Sequence, residues 1–236
     1  MEPQIILALA LTLTFLGQWL TGRAKRRHRQ TLAELESATL QRSLALLRAL
    51  QKHRGLGAQQ DLASSCQRRA LARQLDQLWL NWPGPSLQLP ALQQQWPQLR
   101  RKPADFAAHC QVIEALLTVI EQLEVRLNLR HDPQLQGLGQ SCRALEDLAR
   151  LRGLAVRAAN YERCPAGLQA QLRELCRRLA ITHPYEPMPG LLRRLQQDLI
   201  EAAQPRMTPL DCFALLTPLI EQRWQGLPVP GSTSAT

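Results

Sequence analysis

One ten-residue pattern, L-x-x-L-x-x-x-R-G-L, occurs twice in this chain, at residues 47–56 and again at 145–154. In the first copy Leu47 and Leu50 set the apolar stripe of an amphipathic helix, and Arg54 falls on that stripe seven and four residues later. Leu145, Leu148 and Arg152 repeat the arrangement. A guanidinium stays charged at any ordinary pH, so one aimed at a core must meet an acid, backbone carbonyls, water or an anion. The pattern therefore demands a helical fold that supplies partners for two buried cations.

The candidate partners differ between the copies. Asp61 lies seven residues beyond Arg54 on the same helical face and offers an ordinary ion pair. Glu146 and Asp147 do not share the stripe of Arg152, so its acid would have to come from another helix. That acidic pair itself reads as a solvated helix face. Each arginine is followed by glycine, which costs a helix about 1 kcal/mol relative to alanine and lets another backbone or a ligand come close. Two structural ion pairs and two arginines converging on one small oxyanion are both open from the residues alone.

The rest of the chain is built for helix. Leu, Ala, Gln and Arg dominate its 236 residues, and only 4% are aromatic. Residues 3–22 carry no charge, and "IILALALTLTFLGQWL" is apolar over about the 20 residues a bilayer span needs. Arg23, Lys25, Arg26, Arg27 and Arg29 follow at once, carrying half of the net charge of +10. A secretory signal peptide has the reverse layout, with its positive charge ahead of the apolar run. The positive-inside rule then implies a single-pass anchor in the inner (cytoplasmic) membrane, with the remainder of the chain in the cytoplasm. The basic cluster can rest on anionic headgroups, and that position accounts for it without nucleic acid.

Beyond the anchor a first helix is expected from near Gln30 through the Leu40, Leu44, Leu47, Leu50 stripe, weakened or bent at Gly55 and Gly57. A second ends near Trp79, where four prolines between residues 83 and 97 exclude regular helix. Trp79, Trp82 and Trp96 are expected to fold that segment back onto apolar surface. The longest helix is expected from about Pro103 to Leu129, a second Arg-Gly helix from about Gln134 to Tyr161, and three shorter ones over 168–181, 190–204 and 208–224. The expected fold class is all-α, an N-terminal transmembrane helix followed by two stacked up-and-down helical bundles. The division is 1–22 as anchor, 23–30 as juxtamembrane segment, 31–226 as the helical domain and 227–236 as a disordered tail.

Chemistry-bearing motifs are sparse. Six cysteines form no C-x-x-C pair, so zinc and redox motifs are unsupported, and the thiols read as small buried groups. The five histidines are scattered, and no zincin, nucleophile-elbow, Walker or dinucleotide motif occurs. No enzymatic activity and no cofactor are expected.

"LRALQKHRGLGAQQ" resembles the opening of the nitrate- and nitrite-sensing (NIT) domain, whose helix carries an L-Q-x-E-R-G-L-type signature. "LRRKPADFAAHCQVIEALLTVIEQLE" is similar to that family's middle segment, and "ALEDLARLRGLAVRAA" to its second E-R-G-type helix. The resemblance spans most of residues 31–226 through short, degenerate motifs. It implies two stacked helical bundles in which Arg54 and Arg152 hold nitrate or nitrite, with Arg100 a weaker third. The late arginine of such a site would fall on Arg223 or Arg206. His53 and Leu151 stand where the family tends to have glutamate. Neutral His53 would serve as a hydrogen-bond acceptor there or, on the favoured reading, stand solvated. A sensory role further implies an output through a partner protein or a homodimer contact.

Overall fold

A computed structural model describes residues 3–59, 61–129, 135–182 and 187–228, with side chains from residue 14 onward. Residues 229–236 of the expected tail and parts of two expected turns, including His131 and His183, lie outside the described residues, while Leu227, placed in that tail, packs against the core. Among the described residues there are eight α-helices and no strand. They are α1 (Pro3–Gly57), α2 (Leu62–Leu80), α3 (Trp96–Arg101), α4 (Phe106–Asn128), α5 (Leu138–Ala158), α6 (Ala166–Thr182), α7 (Met188–Leu195) and α8 (Pro209–Gln225).

Several boundaries differ from the expectation: α4 starts at Phe106 and not at Pro103, α5 at Leu138 and not near Gln134, and the largest differences lie in α1. No break separates an anchor helix from a domain helix near Gln30, because α1 runs unbroken for 55 residues, roughly 80 Å at the rise of an α-helix. Nothing between Gly22 and Gly57 is a proline, and one or two glycines do not stop a helix. Consequently α1, not α4, is the longest helix. It also continues as helix through Gly55 and stops at Gly57, where Arg68 from α2 donates to the carbonyls of Leu56 (2.8 Å) and Gln59 (2.7 Å).

The buried apolar side chains fall into two clusters. The first joins the Leu40–Leu50 stretch of α1 to α2, α4 and the proline-rich segment, with Trp79, Trp82 and Trp96 all buried. Asp76 accepts from Trp96 Nε1 at 2.7 Å, and the carbonyl of Pro90 accepts from Trp82 Nε1 at 3.0 Å, which satisfies both ring donors. The second cluster joins α5 to α6, α7 and α8, with α7 prolonged by a single π turn over Gln196–Ile200.

Helix α5 passes from one cluster to the other. Its N-terminus is capped by Glu124, whose carboxylate accepts from the backbone N–H of Gly137 and of Gly139, each at 2.6 Å. Fourteen of its 21 residues are buried, so α5 has almost no solvent face. That centrality brings Arg152 against α1 and α8.

Among the residues whose side chains are described, the one helix long and apolar enough for a bilayer is Phe106–Asn128. Ten of its residues are buried in the core, so packing accounts for its composition. In the first half of α1, Phe15, Leu16, Trp19 and Leu20 are exposed, and Arg23 lies over the Trp19 ring at 5.3 Å.

Candidate functional site

Both patterned arginines are buried, and they end in different surroundings. Arg54 has no exposed side-chain surface. Its Nη1 and Nη2 donate to Glu146 Oε1 and Oε2 at 2.5 and 3.0 Å, a two-pronged pair across α1 and α5. The same Nη1 donates to Cys110 Sγ at 3.3 Å, and Gln51 Nε2 donates to Glu146 Oε2 at 3.0 Å. The carboxylate and the thiol raise the pKa of Arg54 against the opposing effect of burial. Asp61 is therefore not its acid. Helix α1 ends at Gly57, and Asp61 instead caps α2, accepting from Ser64 N–H at 2.8 Å. Nor is Glu146 on a solvated face, since only 7% of the residue is exposed.

Arg152 is 1% exposed and has no carboxylate within ion-pair distance among the described residues. Its Nη1 donates to Thr217 Oγ1 on α8 at 3.1 Å, and its Nη2 to the Gln51 carbonyl on α1 at 3.4 Å. Its Nε is buried without a partner, and the Phe213 ring lies 4.6 Å from Cζ. Burial and the Arg54 charge lower its pKa to about 10, with Glu221 and Glu146 opposing, so the group is still charged at neutral pH.

The two glycines explain how these groups interlock. A Cβ on Gly55 would stand 3.2 Å from Arg152 Nη2, so the bare backbone of the first motif makes room for the second motif's guanidinium. A Cβ on Gly153 would stand 2.6 Å from Phe106 Cε2, and that ring lies 5.1 Å from Arg54 Cζ. Each glycine thus accommodates the other motif's arginine or the ring packed on it. The two motifs cross at the seam between the apolar clusters.

His53 is not solvated, as only 2% of it is exposed. Its Nδ1 lies 2.8 Å from His109 Nε2, and His109 Nδ1 lies 2.7 Å from the Asp105 carbonyl. A carbonyl only accepts, which assigns the proton to His109 Nδ1 and makes His53 Nδ1–H the donor between the rings. Burial, then the neighbouring His109 and Arg68, push the pKa of His53 down to about 3. Burial also lowers that of His109. Both rings are neutral near pH 7.

The other arginines do not join this cluster. Arg100 is a half-exposed surface residue paired with Asp76 at 3.0 Å. Arg223 is exposed on α8, beside an open cleft it shares with Arg143 and Asp147. Arg206 is exposed and stands 4.0 Å from Asp198. Sequence reasoning missed Glu146, His109, Cys110 and Thr217. The first three carried a signal, since His109 and Cys110 precede Ile113 of the α4 stripe by four and three residues and Glu146 adjoins Leu145. No family model, curated protein or solved structure matches the chain.

Proposed function

We propose that the protein is a membrane-anchored, NIT-like sensory module that binds a small oxyanion, nitrate or nitrite, at Arg152 and signals to a partner protein. The observation that carries this reading is a guanidinium 1% exposed with only a hydroxyl and a backbone carbonyl as acceptors. A fully buried, uncompensated charge is costly, and a planar monoanion meets a guanidinium edge-on through two oxygens. Arg54, whose charge is paired with Glu146 although its Nε, like that of Arg152, is buried without a partner, acts here as a structural brace and not as a first ligand.

The two apolar clusters joined by α5 support a pair of stacked helical bundles as the sensory body. The exposed Phe15, Leu16, Trp19 and Leu20, followed by the basic run from Arg23 to Arg29, support an inner-membrane anchor with residues 31–226 in the cytoplasm. Because Gln51 and Arg54 lie on the helix that would cross the membrane, a shift in their packing moves that helix. The output is an unidentified protein or the second subunit of a homodimer.

The test is calorimetric titration of the full-length protein in detergent micelles with nitrate and nitrite, with chloride as control. Saturable binding that disappears in Arg152→Met, with helicity retained, is the expected result. A folded wild type that binds neither anion makes Arg152 structural and leaves a membrane-tethered helical scaffold.

A further inference from the structure

One carboxylate, Glu221, bridges α1 and α8 next to the residues that hold Arg152. Glu221 stands one helical turn beyond Thr217 on α8, and Thr217 is the residue that holds Arg152 Nη1. On the facing helix, Gln51 supplies the carbonyl for Arg152 Nη2, and the bases Arg48 and Lys52 flank it. Both bases reach across to Glu221: Lys52 Nζ lies 3.0 Å from Oε1, and Arg48 Nη2 donates to Oε2. Arg48 is also set over the Trp224 ring, 5.9 Å from Cζ to centroid, which fixes its direction. The seam therefore carries a partly exposed carboxylate, two cations paired with it, and close by a third cation that feels this carboxylate without forming an ion pair with it.

We infer that Glu221 is the charge-selecting residue of this site, lowering its affinity for a dianion more than that for a monovalent oxyanion. The inference rests on the anion site proposed above. A fixed negative charge near a binding position repels a dianion with twice the energy it spends on a monoanion, so the penalty in affinity is squared. Arg48 and Lys52 set the strength of that repulsion by keeping the carboxylate directed at themselves. Loss of either base frees Glu221 to turn inward and act as the internal counter-ion, in competition with the ligand.

The experiment compares nitrate and sulfate affinities of the full-length protein in micelles, sulfate by competition against nitrate. The variants are Glu221→Gln, Arg48→Gln and the double substitution. Glu221→Gln is expected to tighten nitrate about tenfold and sulfate about a hundredfold, the square of the same electrostatic factor. Arg48→Gln is expected to weaken nitrate, and adding Glu221→Gln to it should restore tight binding. Equal shifts for the two anions, or no shift, in a wild type that binds nitrate would overturn the inference and leave the anion site standing. An Arg48→Gln loss that persists undiminished in the Glu221→Gln background would also overturn it, by making Arg48 a plain source of positive charge. If Glu221→Gln does not fold, Lys52→Gln supplies the opposite-signed test, with weaker nitrate expected and unchanged nitrate refuting. A wild type that binds neither anion removes the site itself.

Discussion

Glu146→Gln removes the carboxylate that pairs with a guanidinium whose side chain has no exposed surface. The isosteric amide keeps the volume and one acceptor oxygen, so the change removes the charge and turns the other acceptor into a donor that faces donors. Two Arg54 bonds, at 2.5 and 3.0 Å, end on that carboxylate, as does the 3.0 Å bond from Gln51. Breaking a buried pair from one side costs about 3–5 kcal/mol because the remaining ion is left uncompensated. For a chain of this size each kcal/mol moves the midpoint by about 2–4 °C, so the melting temperature should fall on the order of 10 °C. Asp147→Asn is the internal control. Its carboxylate is 28% exposed and pairs with Arg178 near the surface, a class worth about 0–1 kcal/mol. Thermal melts followed by helical circular dichroism, with all proteins in the same detergent, give the comparison. Replacing both partners, Arg54→Met with Glu146→Leu, should recover most of the loss, since apolar substitution of a whole buried pair is often neutral. A Glu146→Gln melt within about 2 °C of the Asp147→Asn melt would refute the account of Glu146 as the necessary counter-ion.

The glycines give an ordered series: at Gly57 an added Cβ would stand 2.1 Å from the Pro103 carbonyl oxygen, so Gly57→Ala should lose about 2 kcal/mol or more in the same melts. Gly167→Ala, with nothing within 4 Å, should gain up to about 1 kcal/mol from helix propensity. The neutral histidine pair makes stability acid-sensitive in a defined sense. With the folded-state pKa of His53 depressed from the usual 6.5 to about 3, its contribution is complete above pH 6.5 and is lost as pH falls from there towards 3. Chemical denaturation at stepped pH should show that loss, and His53→Gln should reduce the slope. A thiol reagent applied to the folded protein should label exposed Cys66 first, because burial holds Cys142 and Cys212 back by raising both pKa values to about 12. Mass mapping of the labelled peptides reads the order. Arg100→Ala, at a half-exposed surface pair, should change stability by less than about 1 kcal/mol and leave anion binding untouched.

Much of the helical plan was legible because leucine periodicity and local caps are short-range properties. The stripe Val112–Leu127 gave α4 its core face, and Thr208 with Asp211 forms the capping box that starts α8. The continuity of α1 was harder to read, since a change from an apolar to a basic composition looks like a boundary while the backbone sees only good helix formers. Arg100 followed the resemblance and not its own surroundings. It lies on the six-residue α3, whose Trp96 and Leu99 face the core and leave Arg100 and Arg101 toward solvent.

The larger obstacle was the assignment of partners. A single helix wheel divides residues into one apolar face and one solvated face, and on that division Glu146 belongs outside. The division fails for α5, which touches α1, α4, α6 and α8 and so has several faces buried at once. For such a helix a lone acid beside the leucine stripe is as much a core position as the stripe itself. Its ion partner then comes from whichever helix crosses it, 92 residues away in the case of Arg54. The same crossing explains the recurrence of Arg-Gly: Gly55 leaves space for Arg152, and Gly153 for the ring on Arg54. What the crossing does not supply is a second acid. The asymmetry between a braced Arg54 and an uncompensated Arg152 is the physical reason to look for an anion there.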